Sequence, residues 1–299
     1  MTLHEILAIG SKAIGMHEAK TLLSHITGFN HTEIVINNNQ PLDSKAEGAF
    51  FAGLDRRLAK EPLQYIIGEW GFMGLDIKTD RRALIPRPET ELLVEEALTY
   101  IRKLEPPVKV LDLCTGSGCI AVSIAKLSSA IVTVVDISKD ALALAKENAV
   151  YHDLDQQINF IQSDLFSTLG GQNFDIIISN PPYICAKDLS KLQPEIFHEP
   201  MLALDGGIDG MDIYRKLIPQ ALDFLAPNGK LMLEIGPSAV ETIMVDAGYD
   251  IVQMKKDYSG HDRILVGQKY GGKCETSAKR IFIPTYLFRR RRRHEIKNV

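Results

Sequence analysis

The chain has 299 residues, of which 45% are hydrophobic and 24% charged, and this predicts a globular protein with more than one domain. The start, MTLHEILAIGSKAIG, lacks the basic flank and long apolar core of a signal peptide, and no apolar run reaches membrane-spanning length, so we expect a cytoplasmic protein without a membrane partner. The net charge of -4 combines +7 on residues 271–299, which hold nine Lys or Arg and two Glu, with -11 on residues 1–270. An acidic body disfavours direct nucleic-acid binding.

The cysteines form no Cys-x-x-Cys pair, so the sequence predicts neither a disulfide framework nor a metal site, and we expect reduced thiols. They are Cys114, Cys119, Cys185 and Cys274.

The first sixty residues carry apolar residues at helical spacing. HEILAIGSKAIG and HEAKTLLSHITG each end in a glycine suited to a helix C-cap. SKAEGAFFAGLDRRLAK opens with Ser44 and Glu47 at the spacing of a capping box, and it places Phe50, Leu54 and Leu58 along one helix face. These patterns predict a small helical domain.

Four segments follow from the change of pattern along the chain. Residues 1–70 are the predicted helical domain, and GEWGFMGLDIKTD favours a short hairpin within a linker over 71–84. The strand-like runs VKVLDLC, IVTVVDI, INFIQSD, FDIIISN and KLMLEI alternate with helical patterns, so residues 85–270 are predicted to form an α/β domain with a Rossmann-like, doubly wound parallel sheet. DIVQMKKD and RILVGQK are closely connected, which predicts a final antiparallel strand. Residues 271–299, with five consecutive arginines, are predicted to be a disordered basic tail, the alternative being a nucleic-acid or ribosome contact.

The first strand of this sheet ends in LDLCTGSGCIA. Gly116 and Gly118 allow a tight turn and a close approach to a ligand, with the next helix presenting free N–H groups. Asp136, at the end of the second strand, is placed to bind ribose hydroxyls. Because Ala121 completes a dinucleotide fingerprint, an NAD enzyme stays open, as does a glycine turn that serves packing alone.

The third strand ends at Asp164, followed by Leu165 and Phe166. The Asp164 carboxylate could bind the amine of an adenine, and the two apolar side chains could flank the adenine ring. The three strand ends together predict a nucleoside site.

The stretch DIIISNPPYIC ends the fourth strand with Asn180, Pro181, Pro182 and Tyr183. Pro181 forces Asn180 into an extended conformation, and the prolines end the strand's ladder, leaving carbonyls as acceptors without local partners. With the flat face of Tyr183, the motif suits a planar NH2 group. The alternative is a Pro-Pro turn that only ends a strand.

These residues resemble the S-adenosylmethionine-dependent methyltransferases of class I, in which an Asn-Pro-Pro-Tyr motif receives a planar NH2 group. LIPRPETELLVEEAL, DLCTGSGCIA, ISNPPYI and SGHDRILVG, with the helical N-terminal segment, are similar to the HemK/PrmC family over about residues 1–269. The resemblance implies methylation of the side-chain amide nitrogen (N5) of the glutamine in a Gly-Gly-Gln loop of peptide chain release factors, which would be the protein partners. It also implies S-adenosylmethionine as methyl donor, S-adenosylhomocysteine as product, and an N-terminal domain that docks substrate.

The resemblance assigns roles to matching positions only. Cofactor-binding positions are Cys114, Thr115, Gly116, Ser117, Gly118, Asp136, Asp164, Leu165 and Asn180. Substrate-binding positions are Asn180, Pro181, Pro182 and Tyr183, of which Asn180, Pro181 and Tyr183 are the catalytic ones. There are two departures from the family pattern: Cys114 stands where glycine is usual, and EIGPSAV lacks a glutamine that commonly follows the glycine.

Two further alternatives remain open from the residues. An adenine N6 methyltransferase would hold its exocyclic amine on the same motif, but the acidic body weighs against it. A binding module that has lost activity is the other, and the presence of Asp136 and Asn180 argues against it.

Overall fold

The computed structural model describes residues 1–236 and 239–271, together with the backbone of residues 281 and 282. Most of the predicted basic tail, and Pro237 and Ser238 of the EIGPSAV stretch, therefore lie outside the described residues.

Five helices form the N-terminal part of the chain. They are α1 (Leu3–Ile14), α2 (Met16–Thr27), α3 (His31–Ile36), α4 (Ser44–Leu58) and α5 (Leu63–Ile67). The first two end at Gly15 and Gly28, both with positive φ, as the sequence predicts. Their apolar faces share a core centred on Phe50, and Gly10 allows the close approach of that ring.

Helix α4 differs from the sequence prediction at both ends. Asp43, rather than Ser44, is its N-cap, because the Asp43 carboxylate accepts a hydrogen bond from the Ala46 N–H at 2.7 Å. Glu47 pairs with the amino terminus instead of closing a capping box. Leu58, at the last turn, is 52% exposed and lies outside the core that holds Phe50 and Leu54.

A hairpin links these helices to the sheet domain. Strands β1 (Glu69–Phe72) and β2 (Leu75–Lys78) pair antiparallel. Their turn places Met73 and Gly74 at positive φ, a conformation that glycine adopts without strain. The predicted hairpin is formed, beginning two residues before the predicted linker, and helix α6 (Pro88–Ile101) follows with Pro88 at its first position. The domain boundaries themselves stay predictions.

The remaining chain builds one large sheet with helices on both faces. Its strands are β3 (Lys109–Leu113), β4 (Ile131–Asp136), β5 (Ile158–Gln162), β6 (Phe174–Ser179), β7 (Leu225–Glu234), β8 (Ile251–Lys256), β9 (Asp262–Gln268) and β10 (Ile281–Phe282). Its helices are α7 (Cys119–Leu127), α8 (Lys139–Tyr151), α9 (Ala186–Leu189), α10 (Asp212–Phe224) and α11 (Val240–Ala247).

The sheet order is β10-β8-β9-β7-β6-β3-β4-β5. Strands β3 to β7 are parallel, and β9 pairs antiparallel with both β7 and β8, so the predicted Rossmann-like α/β sheet and its antiparallel strand are confirmed. Strand β10, within the predicted disordered tail, pairs parallel with β8, contrary to that prediction at these two residues.

Both faces of the sheet are covered, which explains why its strands are apolar throughout. On β6, Ile176 and Ile178 pack on the side of α6 and α7, whereas Ile177 packs on the side of α10 and α11. Successive connections leave β3 and β6 in opposite directions along the sheet, and ligands bind at such a switch point, beyond the carboxyl ends of the strands.

Candidate active site

The turn after β3 is tied to the end of β4 through Asp136. Its Oδ2 accepts from the Gly116 N–H at 2.9 Å, and its Oδ1 accepts from the Ser138 N–H at 2.8 Å. Burial raises the pKa of this carboxyl, whereas the backbone N–H donors lower it. A carboxylate oxygen can accept more than one hydrogen bond, so Asp136 keeps acceptor capacity toward the cavity that it lines.

The two glycines of the turn have different surroundings. Gly116 has φ +56°, and a Cβ there would have Ala83 Cβ, 3.8 Å away, as its nearest neighbour. Gly118 has φ +78°, and a Cβ there would meet Ala145 of α8 at 2.9 Å. Gly116 therefore lines the cavity, whereas Gly118 lies against α8.

A buried acid on β3 forms a hydrogen bond to the turn. Asp112 is fully buried and its Oδ2 accepts from Thr115 Oγ1 at 2.6 Å. Burial raises the pKa of Asp112 to about 7. Cys114, next in the turn, has φ +57°, in the left-handed region that favours glycine, and burial raises the pKa of its thiol to about 12, which keeps the thiol protonated.

The segment after β5 is only partly as expected. Ser163, Asp164 and Leu165 line the same cavity as the glycine turn. Phe166 does not: it is buried in the core, stacked on Phe224 with 4.7 Å between ring centroids. The sequence interpretation of Phe166 as a flank of the nucleoside ring is not supported, because the chain turns the ring toward α10.

Asn180 follows β6, beside the turn after β3, as the sequence predicts. Its Nδ2 donates to Thr90 Oγ1 at 3.1 Å, which leaves Oδ1 as the free acceptor of that amide. Tyr183, three residues on, donates from its hydroxyl to Glu234 Oε1 at 3.3 Å. Burial raises the pKa of Tyr183 to about 12, so its hydroxyl keeps its hydrogen at neutral pH.

Glycines enclose the Tyr183 residue. A Cβ on Gly236 would lie 2.4 Å from its ring, and Cβ atoms on Gly206 and Gly210 would lie 2.7 and 2.4 Å from its backbone. The Ile184 N–H donates to Leu204 and the Gly206 N–H donates to Ile184, each at 2.9 Å. The segment after the prolines is thus held by the loop that precedes α10.

Two cavities meet at Asn180. The first, beyond β3 to β5, is lined by Cys114, Thr115, Gly116, Ser117, Asp136, Asp164, Leu165, Asn180 and Pro182 among the expected site residues. The second, which faces the N-terminal helices, is lined by Asn180, Pro181 and Tyr183. Pro182 thus faces the first cavity rather than the second, and Gly118 faces neither.

The wall between the cavities contains residues to which the sequence analysis gave no role. Leu84, Ile85 and Arg87 line both cavities. The carboxylate of Glu199, a buried residue, accepts from the Ile85 N–H at 3.0 Å and from Arg87 Nη2 at 2.5 Å. The block LIPRPETELLVEEAL, which contributes to the family resemblance, contains Leu84, Ile85 and Arg87. No local pattern indicated their partner Glu199, which lies more than a hundred residues further along the chain.

The second cavity also contacts the N-terminal helices. Arg57 of α4 pairs with Glu18 of α2 at 2.7 Å and with Glu195, after α9, at 3.0 Å. All three side chains line the cavity. The helical part and the sheet domain therefore share this wall.

Within the described residues, no cluster of three His, Cys, Asp or Glu side chains is arranged to hold a metal ion. Among the same residues, no helix combines the length and apolarity needed to cross a bilayer.

Comparison with known proteins places these residues in context. A family model described as "PrmC N-terminal domain" matches residues 12–68, and one described as "Methyltransferase small domain" matches residues 89–207. A release factor glutamine methyltransferase of Geobacter sulfurreducens is 42% identical, covering 84% of this chain and 88% of that protein. One of Deinococcus radiodurans is 38% identical, covering 85% and 91%. The solved hMettl16 catalytic domain is similar in fold alone, with a TM-score of 0.53 at 14% identity over 79% of this chain and 85% of that one.

Proposed function

The chain belongs to the family of release factor glutamine methyltransferases, and we propose that it transfers a methyl group from S-adenosylmethionine to the N5 nitrogen of the glutamine in the Gly-Gly-Gln loop of peptide chain release factors. The observation that carries the proposal is the position of Asn180, whose side chain lies where the two cavities meet. A methyl donor in one cavity and an amide in the other would face each other across this residue.

The first cavity fits the methyl donor. Asp136 suits two ribose hydroxyls, because its buried carboxylate is already oriented by the Gly116 and Ser138 N–H groups. The open space beside Gly116, together with Asp164 and Leu165 at the next strand end, suits a nucleoside. When bound, S-adenosylmethionine supplies an electrophilic methyl group on a positively charged sulfur.

The second cavity fits the acceptor amide. Asn180 Oδ1 and the Pro181 carbonyl can each accept one of its N–H groups, and Tyr183 provides a flat wall. An amide nitrogen is a weak nucleophile because its lone pair is delocalised, so positioning is the main contribution of the protein, equivalent to roughly 7–11 kcal/mol in the best cases. The same oxygen dipoles stabilise the positive charge that develops on nitrogen, and the proton leaves afterwards to solvent.

Mass spectrometry tests the proposal. The protein is incubated with S-adenosylmethionine and a purified release factor, and the peptide that carries Gly-Gly-Gln is analysed. We expect one methyl group on the glutamine and none on a release factor in which that glutamine is replaced by glutamate. A parallel incubation with adenine-containing DNA and RNA addresses the rival activity, and methylated adenine with an unmodified release factor would overturn the proposal.

A further inference from the structure

Thr90 connects Asn180 to a buried carboxylate. It lies in the first turn of α6, where its Oγ1 donates to Glu234 Oε2 at 2.6 Å and accepts from Asn180 Nδ2 at 3.1 Å. Thr90 is 2% exposed and Glu234, at the end of β7, is 1% exposed. This three-residue chain joins segments that are far apart in the sequence.

The chemistry of the three groups fixes the direction of the hydrogen bonds. An ionised carboxylate only accepts, so Glu234 takes the single hydrogen of the Thr90 hydroxyl. The hydroxyl then offers only lone pairs to Asn180, which must turn its NH2 toward Thr90 and its Oδ1 away. Reversal of the Asn180 amide would place two acceptors, the Asn180 oxygen and the Thr90 oxygen, against each other.

Two hydroxyl groups donate to the Glu234 carboxylate, and the positive charge of Arg263 acts on it. Burial is the largest effect and raises the pKa of Glu234 above its ordinary value, and the hydrogen bonds from Thr90 and Tyr183 and the charge of Arg263 oppose that rise. Arg263 itself pairs with Asp257 at 3.2 Å. Glu234 is thus an acceptor held by two O–H donors in a buried site.

We propose that Thr90 is a positioning residue that, together with Glu234, holds the side-chain amide of Asn180 with its oxygen toward the substrate. This inference rests on the proposed function and deepens it. An oxygen acceptor suits a primary amide, which brings N–H donors, and repels a carboxylate, which brings only acceptors. A reversed Asn180 would present its NH2 to the substrate, and this donor would favour a carboxylate over an amide nitrogen. Thr90 thereby selects glutamine over glutamate in the substrate loop.

The experiment compares Thr90→Val, which removes the hydroxyl at nearly constant volume, with Thr90→Ser, which keeps it. Thr79→Val is the matched control, because Thr79 is equally buried, lines neither cavity, and donates to the backbone carbonyl of Gln64 rather than to a member of the Thr90 chain. For each protein we measure the melting temperature, S-adenosylmethionine affinity, and kcat and KM on a release factor. Inhibition by the release factor that carries glutamate in place of the acceptor glutamine is measured in parallel.

Thr90→Val should lower kcat about tenfold to a hundredfold, by analogy with the loss of groups that orient a ligand. Cofactor affinity should change only slightly, because Thr90 lines the first cavity but its hydroxyl is engaged with Glu234 and Asn180. The glutamate-containing release factor should compete better against this variant than against the parent. Thr90→Ser should retain the parent kcat, and Thr79→Val should change only the melting temperature. A parent-like kcat and parent-like discrimination in folded Thr90→Val would overturn the inference, as would equal losses in Thr90→Ser.

A second measurement needs no substrate and stands if Thr90→Val does not fold. Asn180→Asp places a second carboxylate beside Thr90, whose only hydrogen already goes to Glu234, so the melting temperature should fall. Adding Glu234→Gln supplies an NH2 to Thr90 and frees the hydroxyl hydrogen for the new carboxylate. The double variant should therefore melt above the value expected from adding the two single effects. Purely additive effects would contradict the direction that we assign.

If the parent protein methylates no release factor, the proposed function fails, whereas the melting temperatures still test the Thr90 chain by themselves.

Discussion

Asp136 Oδ2 accepts a hydrogen bond from the Gly116 N–H at 2.9 Å, so the acid at the end of β4 and the turn after β3 form one unit. The other carboxylate oxygen holds the Ser138 N–H, at the start of α8. Under the proposed function, S-adenosylmethionine that binds at Asp136 would therefore be coupled to the shape of the glycine turn.

Asp136→Ala removes the acceptors that we assign to the ribose hydroxyls. Hydrogen bonds to charged groups are worth about 1.5–3 kcal/mol, so S-adenosylmethionine should bind about tenfold to 150-fold more weakly. Calorimetry measures this affinity. Asp175→Ala is the matched control, because Asp175 Oδ2 also accepts a backbone N–H, that of Lys109 at 2.8 Å, but outside both cavities. Equal cofactor affinity in the parent and in folded Asp136→Ala would sink the ribose assignment.

Gly116→Ala and Gly118→Ala should differ in what they impair. Both place alanine at positive φ, which costs about 1–2 kcal/mol. Gly118→Ala adds a clash with Ala145, so it should lower the melting temperature further. Gly116→Ala instead directs a methyl group into the cavity and should weaken cofactor binding more. Equal losses of cofactor affinity in the two variants would contradict the prediction that only the methyl group at position 116 enters the cofactor cavity.

Asp112 makes the stability of the fold depend on pH. Its pKa is raised to about 7 in the folded protein, from an ordinary value of 3.8, because it is buried. The folded state then holds the proton more tightly than the unfolded state, so this contribution to stability is complete below about pH 4 and is lost as pH rises through about 7. Asp112→Asn should flatten that part of the profile. Urea unfolding of both proteins at about pH 5 and about pH 8 measures the difference, and identical pH dependence in the two would refute the assignment.

Arg57 should matter for the protein substrate rather than for the cofactor. It joins α2 to the segment after α9 through Glu18 and Glu195. Ion pairs of this exposure are worth about 0.2–1 kcal/mol each, so Arg57→Met should raise KM for the release factor by a few-fold and leave cofactor affinity alone. Arg56→Met is the control, since Arg56 forms an ion pair with Glu61, donates to the Tyr65 carbonyl, and lines neither cavity. A parent-like KM in Arg57→Met would show that the Arg57 ion pairs do not contribute to binding of the release factor.

The sequence predicts the strand ends well because their signals are local. Gly116, Asp136 and Asn180 each follow an apolar run, and parallel strands bring such ends to one edge of the sheet. Thr90 and Glu234 were not predicted as site residues, because their contact joins positions 144 residues apart and no periodicity encodes it. The one local signal was Glu234, an acid that stands between the apolar residues Leu233 and Ile235 at the carboxyl end of β7.

Two further differences between the sequence prediction and the structure concern the N-cap of α4 and the direction of the Phe166 side chain. Asp43 takes the N-cap of α4 because its carboxylate reaches the Ala46 N–H, although the spacing favoured Ser44. Phe166 joins the core rather than the cavity, since it stacks on Phe224. The N-cap residue and the direction of a side chain depend on tertiary packing, which local sequence patterns do not encode.

The central claim is that Asn180 holds the nitrogen that receives the methyl group, and Asn180→Ala tests it most directly. The substitution removes the side-chain acceptor while Pro181 still shapes the strand end, so the fold and the cofactor cavity should remain. Turnover on a release factor and S-adenosylmethionine affinity are measured for the folded variant and the parent side by side. We predict that turnover falls by about a hundredfold or more while cofactor affinity changes only slightly. Near-parent turnover in folded Asn180→Ala would contradict the account and leave the Asn-Pro-Pro-Tyr motif as a strand terminator.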